Sequence, residues 1–315
     1  MRHNERMRDI VTLDNGFWRV GLVPETGGSI AFGQLHLDGA WVDVLRPTPA
    51  ESLGRFAETA SYPLVPWSNR IRDGRLQWAG RTYQLRVNHA DGTAIHGVGT
   101  DYAWTVVESS PTHAVLEFVS HDVYGVNFPW SFTARFTYRV DGARLEVEMA
   151  LTNTDHETFP AGLGHHPYLQ RELATASGAV GGPAELRIDC EKAYDLDNAL
   201  PTAEAGPIRP AADFRERRPL GTEFVDDCYT ARTGPVAGSV TWPDALQLDL
   251  EADDVLGHVV CYIPQERPYF ALEPVSNAND AFTLDAAGVP GTGLRIVQPG
   301  ETLTATWALA ATPLV

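Results

Sequence analysis

Lysine is nearly missing from this chain: Lys192 is the only one in 315 residues, and it stands in Cys-Glu-Lys-Ala-Tyr-Asp rather than behind a glycine-rich loop. That excludes a P-loop nucleotide site. Cysteine is equally sparse. Cys190, Cys228 and Cys261 are odd in number and far apart, so neither a disulfide framework nor a zinc ribbon is indicated, and a reducing cytoplasm is the expected location. Positive charge is also short, with 24 Lys plus Arg against 41 Asp plus Glu. A net charge of −17 repels a phosphate backbone, so no nucleic-acid partner is expected. No apolar run approaches the length of a membrane span, and the opening MRHNERMRDI is charged with little apolar content, so no membrane association or targeting segment is expected. His-Glu-x-x-His, Gly-x-Ser-x-Gly and a strand-borne Gly-x-Gly-x-x-Gly are all lacking. Zincins, elbow-type serine hydrolases and dinucleotide enzymes are thereby disfavoured.

What is present is β-structure. Phe132, Ala134, Phe136 and Tyr138 alternate with Thr133, Arg135, Thr137 and Arg139, and after Asp141-Gly142 the apolar set resumes at Leu145, Val147, Met149 and Leu151. Period-two alternation around Asp-Gly predicts a hairpin turning at that dipeptide. Similar short runs occupy 17–23, 114–119, 246–250, 259–263 and 302–309, with no helical-length apolar stripe between them. Strands in succession without crossover helices predict one large antiparallel β-sandwich rather than a βαβ protein. The whole chain, 1–315, reads as one domain, with 174–219 as a long surface loop. By area scaling, folding buries roughly three quarters of the surface, so no disulfide staple is needed.

Four polar segments lie in rigid, aromatic or Gly/Pro-rich settings: 66–71, 95–97, 162–168 and 270–274. Glu273 ends an apolar run before Pro274; alone it reads as a strand-end carboxylate facing water or an arginine, and functionally as a general base. His166 precedes Pro167, which holds it in extended backbone, and its imidazole can exchange a proton near neutrality. Strand alternation sends its neighbour His165 to the opposite face. Arg70 reads as a surface cation and His96 as a loop hydrogen-bonder, unless both serve a ligand. Of Asp226 and Asp227, one suits hydroxyl binding and the other a turn cap. Trp67, Trp104 and Trp130 offer faces for a sugar ring, although core packing is the commoner fate of tryptophan.

Taken in order, these segments resemble the aldose 1-epimerase (galactose mutarotase) family. The resemblance rests on Asn69-Arg70-Ile71 with Gly74 and Trp78, His96-Gly97 with Trp104, His166-Pro167-Tyr168, Asp226 with Tyr229, and Leu272-Glu273-Pro274, and it spans about residues 10 to 312. It implies the galactose mutarotase-like supersandwich, with Glu273 and His166 as catalytic base and acid. It assigns Arg70, His96 and Asp226 to the sugar, and implies anomer interconversion of a free aldohexose without metal or cofactor. Val98 and Leu169 depart from the family pattern, where glycine and phenylalanine are frequent, and bear on which sugar is taken. A hexose-6-phosphate 1-epimerase of the same fold and a noncatalytic carbohydrate-binding protein are the alternatives. The chain is expected to be a monomer or homodimer.

Overall fold

The computed structural model describes residues 9–314; the first eight residues of the charged opening stretch lie outside them. The strands Phe132–Asp141 and Arg144–Asn153 pair in register from Phe132↔Asn153 to Asp141↔Arg144, as the alternation predicts. The turn falls one residue later than expected. Asp141 is the last paired residue, and Gly142-Ala143 form the two-residue tip. Gly142 has φ +51° and Ala143 is not left-handed, the pattern of a type II′ turn, which needs glycine only at its first central position.

This hairpin belongs to a nine-stranded antiparallel sheet that also takes in His113–Val119, Thr302–Pro313, Leu246–Ala252 and Val236–Trp242. A seven-stranded sheet packs on it, built around Val225–Arg232, His258–Ile263 and Tyr269–Val275. Phe136, Tyr138, Met149, Trp307 and Leu248 of the first sheet share one buried core with Tyr229, Cys261, Phe270 and Leu272 of the second. Burying such a side chain fully is worth about 1.5–3 kcal/mol, so the interface between the sheets dominates the stability. The fold is an all-β sandwich. The single α-helix among the described residues, Ala281–Ala286, six residues long, follows the last strand of the smaller sheet.

The segment 174–219 is not the plain surface loop the sequence suggests. Glu185–Ile188 pairs with Val236–Trp242 in the larger sheet, and Cys190–Ala193 pairs with Val225–Arg232 in the smaller. The chain thus changes sheets at Asp189. With only Leu186 and Ile188 buried on the first of these strands, the alternation is too short to register as a strand in sequence.

The second face of the smaller sheet carries two of the candidate site residues. Cross-strand partners share a face, so Asp226↔Tyr262↔Ala271 and Cys228↔Val260↔Glu273 place Asp226 and Glu273 on the side away from the main core. Tyr62, Tyr168, Tyr194, Cys228, Val260 and Ala271 form a separate buried cluster there. Adjacent His165 and His166 separate as strand alternation requires. His165 points into the main core beside Trp307, at 5.1 Å between ring centroids, while His166 stacks on Tyr62 and Tyr168 of the second cluster.

His165 is fully buried, and its network fixes its tautomer. Tyr138 donates its hydroxyl to the Gly28 carbonyl at 3.1 Å, so its oxygen accepts from Nε2 of His165 at 3.4 Å and Ser61 donates to Nδ1. Burial lowers the imidazole to about 3. A depressed histidine contributes stability that is present above its unfolded pKa of about 6.5 and is lost as pH falls toward the folded value. The destabilisation measured for His165→Gln by urea unfolding should therefore shrink by about 1.4 kcal/mol for each pH unit below 6. A difference that stays constant between pH 7 and 5 would show that His165 is not neutral in the core.

Candidate active site

Two short strands, Arg70–Ile71 and Ala94–Ile95, pair as Arg70↔Ile95 and Ile71↔Ala94 and hold one wall of the site. The ladder ends in a tight kink. The His96 amide donates to the Asn69 carbonyl at 2.9 Å, and Asn69 and His96 both adopt left-handed backbone, with φ +55° and +63°. Gly97 follows at φ +72°, where an added Cβ would collide with the Val65 carbonyl, so only glycine lets the chain turn here. That is the physical content of the His96-Gly97 pair.

The wall is tied to the strand that carries Glu273. Ser68 donates its amide to Oδ1 of Asn277 and its hydroxyl to the Asn277 carbonyl, at 3.1 and 3.0 Å, and Nδ2 of Asn277 returns a bond to the Ser68 carbonyl. The Asp280 amide donates to the Arg70 carbonyl at 2.8 Å. Glu273 itself lies inside the Tyr269–Val275 strand, not at its end, since Pro274 continues the ladder opposite Val259. His166 is positioned by its amide, which donates to the Tyr62 carbonyl at 3.0 Å, and by the rings of Tyr62 and Tyr168 at 4.6 and 4.5 Å. Arg46 stacks over Tyr168 at 3.8 Å, stiffening the column.

At the centre, Nε2 of His166 lies 3.1 Å from Oε1 of Glu273. The two residues are 5% and 2% exposed, dry enough that their charges are governed by surroundings rather than by water. Burial pushes the Glu273 carboxyl well above its usual range, with the Asp226 carboxylate adding to the rise and Arg70 opposing it. Burial likewise drives His166 well below the ordinary histidine value, helped by His96. His96 stands edge-on to His166 at 5.4 Å and is lowered to about 3 by burial and by the Arg70 charge, so it is a neutral imidazole. Three buried atoms around this spot have no hydrogen-bond partner: Nδ1 of His96, Nδ1 of His166 and Oε2 of Glu273. Buried polar atoms without partners cost free energy and are expected where a polar ligand completes them.

Beside this pair opens a cleft of about 700 Å³, lined by Arg70, Asp91, Tyr194, Glu204, Arg209, Phe224 and Asp226 among others. The structure brings all five sequence-identified residues to one place, but only Arg70 and Asp226 line the cleft; His96, His166 and Glu273 are buried alongside them. Nη1 of Arg70 lies 3.9 Å from Asp226. Asp227 does not cap a turn: at the edge of the cleft it takes a two-pronged bond from Arg209, at 2.9 and 2.6 Å. Trp67, Trp104 and Trp130 are core residues and present no face to the cleft; its half-exposed aromatic is Phe224. Val98 and Leu169 are buried in the main core, so these departures concern packing rather than sugar recognition.

Sequence reasoning missed Asp91, whose Oδ2 accepts from Nε of Arg70 at 2.8 Å, and Tyr62, which stacks on His166. The Asp91-Gly92-Thr93 turn just ahead of the Ala94–Ile95 strand was the available signal for the first. Among the described residues there is no cluster of side chains suited to a metal ion, and no helix is long and apolar enough to cross a membrane.

The family model for aldose 1-epimerase matches residues 9–310. The YphB protein of Escherichia coli K12 is 26% identical, over 95% of this chain and 98% of its own. A galactose mutarotase-like protein from Clostridium acetobutylicum superposes with a TM-score of 0.81 at 16% identity, covering 96% of this chain and 94% of that one. A galactose 1-epimerase from Lactobacillus acidophilus gives 0.73 at 15% identity, covering 96% and 93%. With the match running almost end to end, this chain belongs to the aldose 1-epimerase family.

Proposed function

We propose that the protein is a mutarotase, interconverting the α and β anomers of a free aldohexose with Glu273 as base and His166 as acid. The observation that carries this reading is the buried 3.1 Å contact between the imidazole and the carboxylate beside a polar cleft. Glu273 takes the proton of the C1 hydroxyl; the C1 oxygen becomes a carbonyl as the bond from C1 to the ring oxygen breaks; His166 gives its proton to the ring oxygen. Rotation about C1–C2 and the reverse steps on the other face of C1 yield the opposite anomer. One proton leaves His166 as one arrives on Glu273, so the balance closes with no co-reactant. Burial favours the uncharged forms of both groups, which are the forms they hold once the ring is open. Ring opening thus discharges the imidazolium and the carboxylate in a dry site that disfavours charge, a differential effect of the kind that accelerates a reaction. Arg70, His96 and Asp226 hold the sugar hydroxyls, and Nδ1 of His96 gains a partner it otherwise lacks.

The charge of the cleft supports a neutral sugar. Arg70 and Arg209 are each paired, while Asp91, Asp195, Glu204, Asp226 and Asp227 also line it. A phosphate would enter a field of net negative sign. Polarimetry on a freshly dissolved single anomer tests the proposal: catalysed decay is expected, with kcat/KM for glucose ~10-fold or more above that for its 6-phosphate. A preference for the phosphate would make this a hexose-6-phosphate epimerase. Binding with the spontaneous rate unchanged would make it a carbohydrate-binding protein.

A further inference from the structure

We propose that Asp91 sets both the pose of Arg70 and the charge selectivity of the cleft, an inference that rests on the mutarotase reading above. Both oxygens of this carboxylate are engaged. Oδ2 takes Nε of Arg70 at 2.8 Å; Oδ1 takes the amide and hydroxyl of Thr93 at 3.1 and 2.7 Å and lies 2.8 Å from Nδ1 of His89. A carboxylate held from both sides cannot rotate, so it fixes the plane of the guanidinium it grips. The grip is on the Nε edge, and one Nη1–H is spent on Oδ1 of Asn69 at 3.1 Å. The remaining donors of a five-donor fork are left for sugar hydroxyls. Burial pushes the Asp91 carboxyl up, but the bonds from Arg70, Thr93 and His89 outweigh it and leave the group below its ordinary value and ionised.

The same contact neutralises Arg70. Its other carboxylate, Asp226, stands farther off at 3.9 Å, so the nearer counter-charge, at 2.8 Å, comes from Asp91. Arg209 is matched in the same way by Asp227. No guanidinium in the cleft therefore offers an uncompensated charge, and an anionic sugar finds no counter-ion. An Arg stripped of its carboxylate would become one, because bidentate recognition of phosphate is what a free guanidinium fork does best.

Asp91→Asn is the discriminating change. The amide oxygen can still accept from Thr93, so the turn survives, but an NH₂ now faces the Nε–H of Arg70 and the clamp opens. For glucose, KM should rise about tenfold with kcat within about twofold, the equivalent of one well-made charged contact. The ratio of kcat/KM for glucose 6-phosphate to that for glucose should rise about tenfold. Asp91→Glu, which keeps the charge, should hold that ratio within about threefold of wild type. A merely structural role would depress both substrates alike and leave the ratio unmoved, and that result, or equal loss of selectivity in both variants, overturns the proposal. Calorimetric binding of the same two sugars to wild type and variants runs in parallel. If the wild type turns over no aldose, the mutarotase reading fails, while the affinity ratio still decides the role of Asp91.

Discussion

Glu273→Gln should lower the enzymatic rate of mutarotation by about 10²–10⁴-fold, the usual contribution of a positioned proton acceptor, while leaving the protein folded. Gln is nearly isosteric, and its amide oxygen can still accept from Nε2 of His166, but it cannot take a proton from a hydroxyl. The loss should appear in kcat rather than KM, because in the proposed mechanism the sugar is held by Arg70, Asp226 and His96 rather than by the base. Stability should move the other way. Burial raises the Glu273 carboxyl above its unfolded pKa of about 4.3, so its contribution is fully present below that value and is lost as pH climbs toward the folded one. At pH 7 the variant should be at least as resistant to urea as the wild type, with the difference closing near pH 4. A variant that is both active and less stable would show that Glu273 is a structural carboxylate. Loss of activity with gain of stability is the signature of a group kept buried for chemistry.

The fold and the site were legible in the sequence to different degrees. Alternation identified the central hairpin and its neighbours because each of those strands is long and half-buried, so the pattern repeats several times. It failed at Glu185–Ile188 and Cys190–Ala193, four residues each, where two apolar side chains per strand are indistinguishable from a loop. It also failed by one residue at the hairpin tip, since Asp-Gly is compatible with more than one register and only the cross-strand pairing decides. In the site, His166 was separable from His165 because adjacent strand residues face opposite ways, and Gly97 because its backbone allows nothing else. Asp91 carried no comparable mark. Its importance arises only when the pairing of two two-residue strands sets a loop carboxylate against an arginine 21 positions earlier. The tryptophans show the converse: an aromatic suited to a sugar face was in each case claimed by the core.

The pH dependence of the proposed reaction should be bell-shaped, with limbs that belong to the coupled pair of His166 and Glu273. At 3.1 Å, His166 and Glu273 titrate as a unit that is active when it holds one proton. With unperturbed groups the acid limb would report the carboxylate and the alkaline limb the imidazole. Burial depresses His166 and raises Glu273, against that order, so the limbs belong to the coupled pair rather than to either residue alone. The reactive arrangement is imidazolium beside carboxylate, and ring opening converts it into the uncharged forms that burial favours. Replacing His166 by Gln should cost a similar 10²–10⁴-fold, since Gln can donate a hydrogen bond to the ring oxygen but not a proton. The residual activity of that variant should keep only a limb that rises with pH as Glu273 ionises, and Glu273→Gln should keep only one that falls with pH as His166 loses its proton. Combining the two should cost scarcely more than the worse single change, because a relay missing either end transfers nothing. Independent, multiplicative losses in the double variant, or a His166→Gln profile that keeps its alkaline limb, would separate the two groups and sink the proton relay.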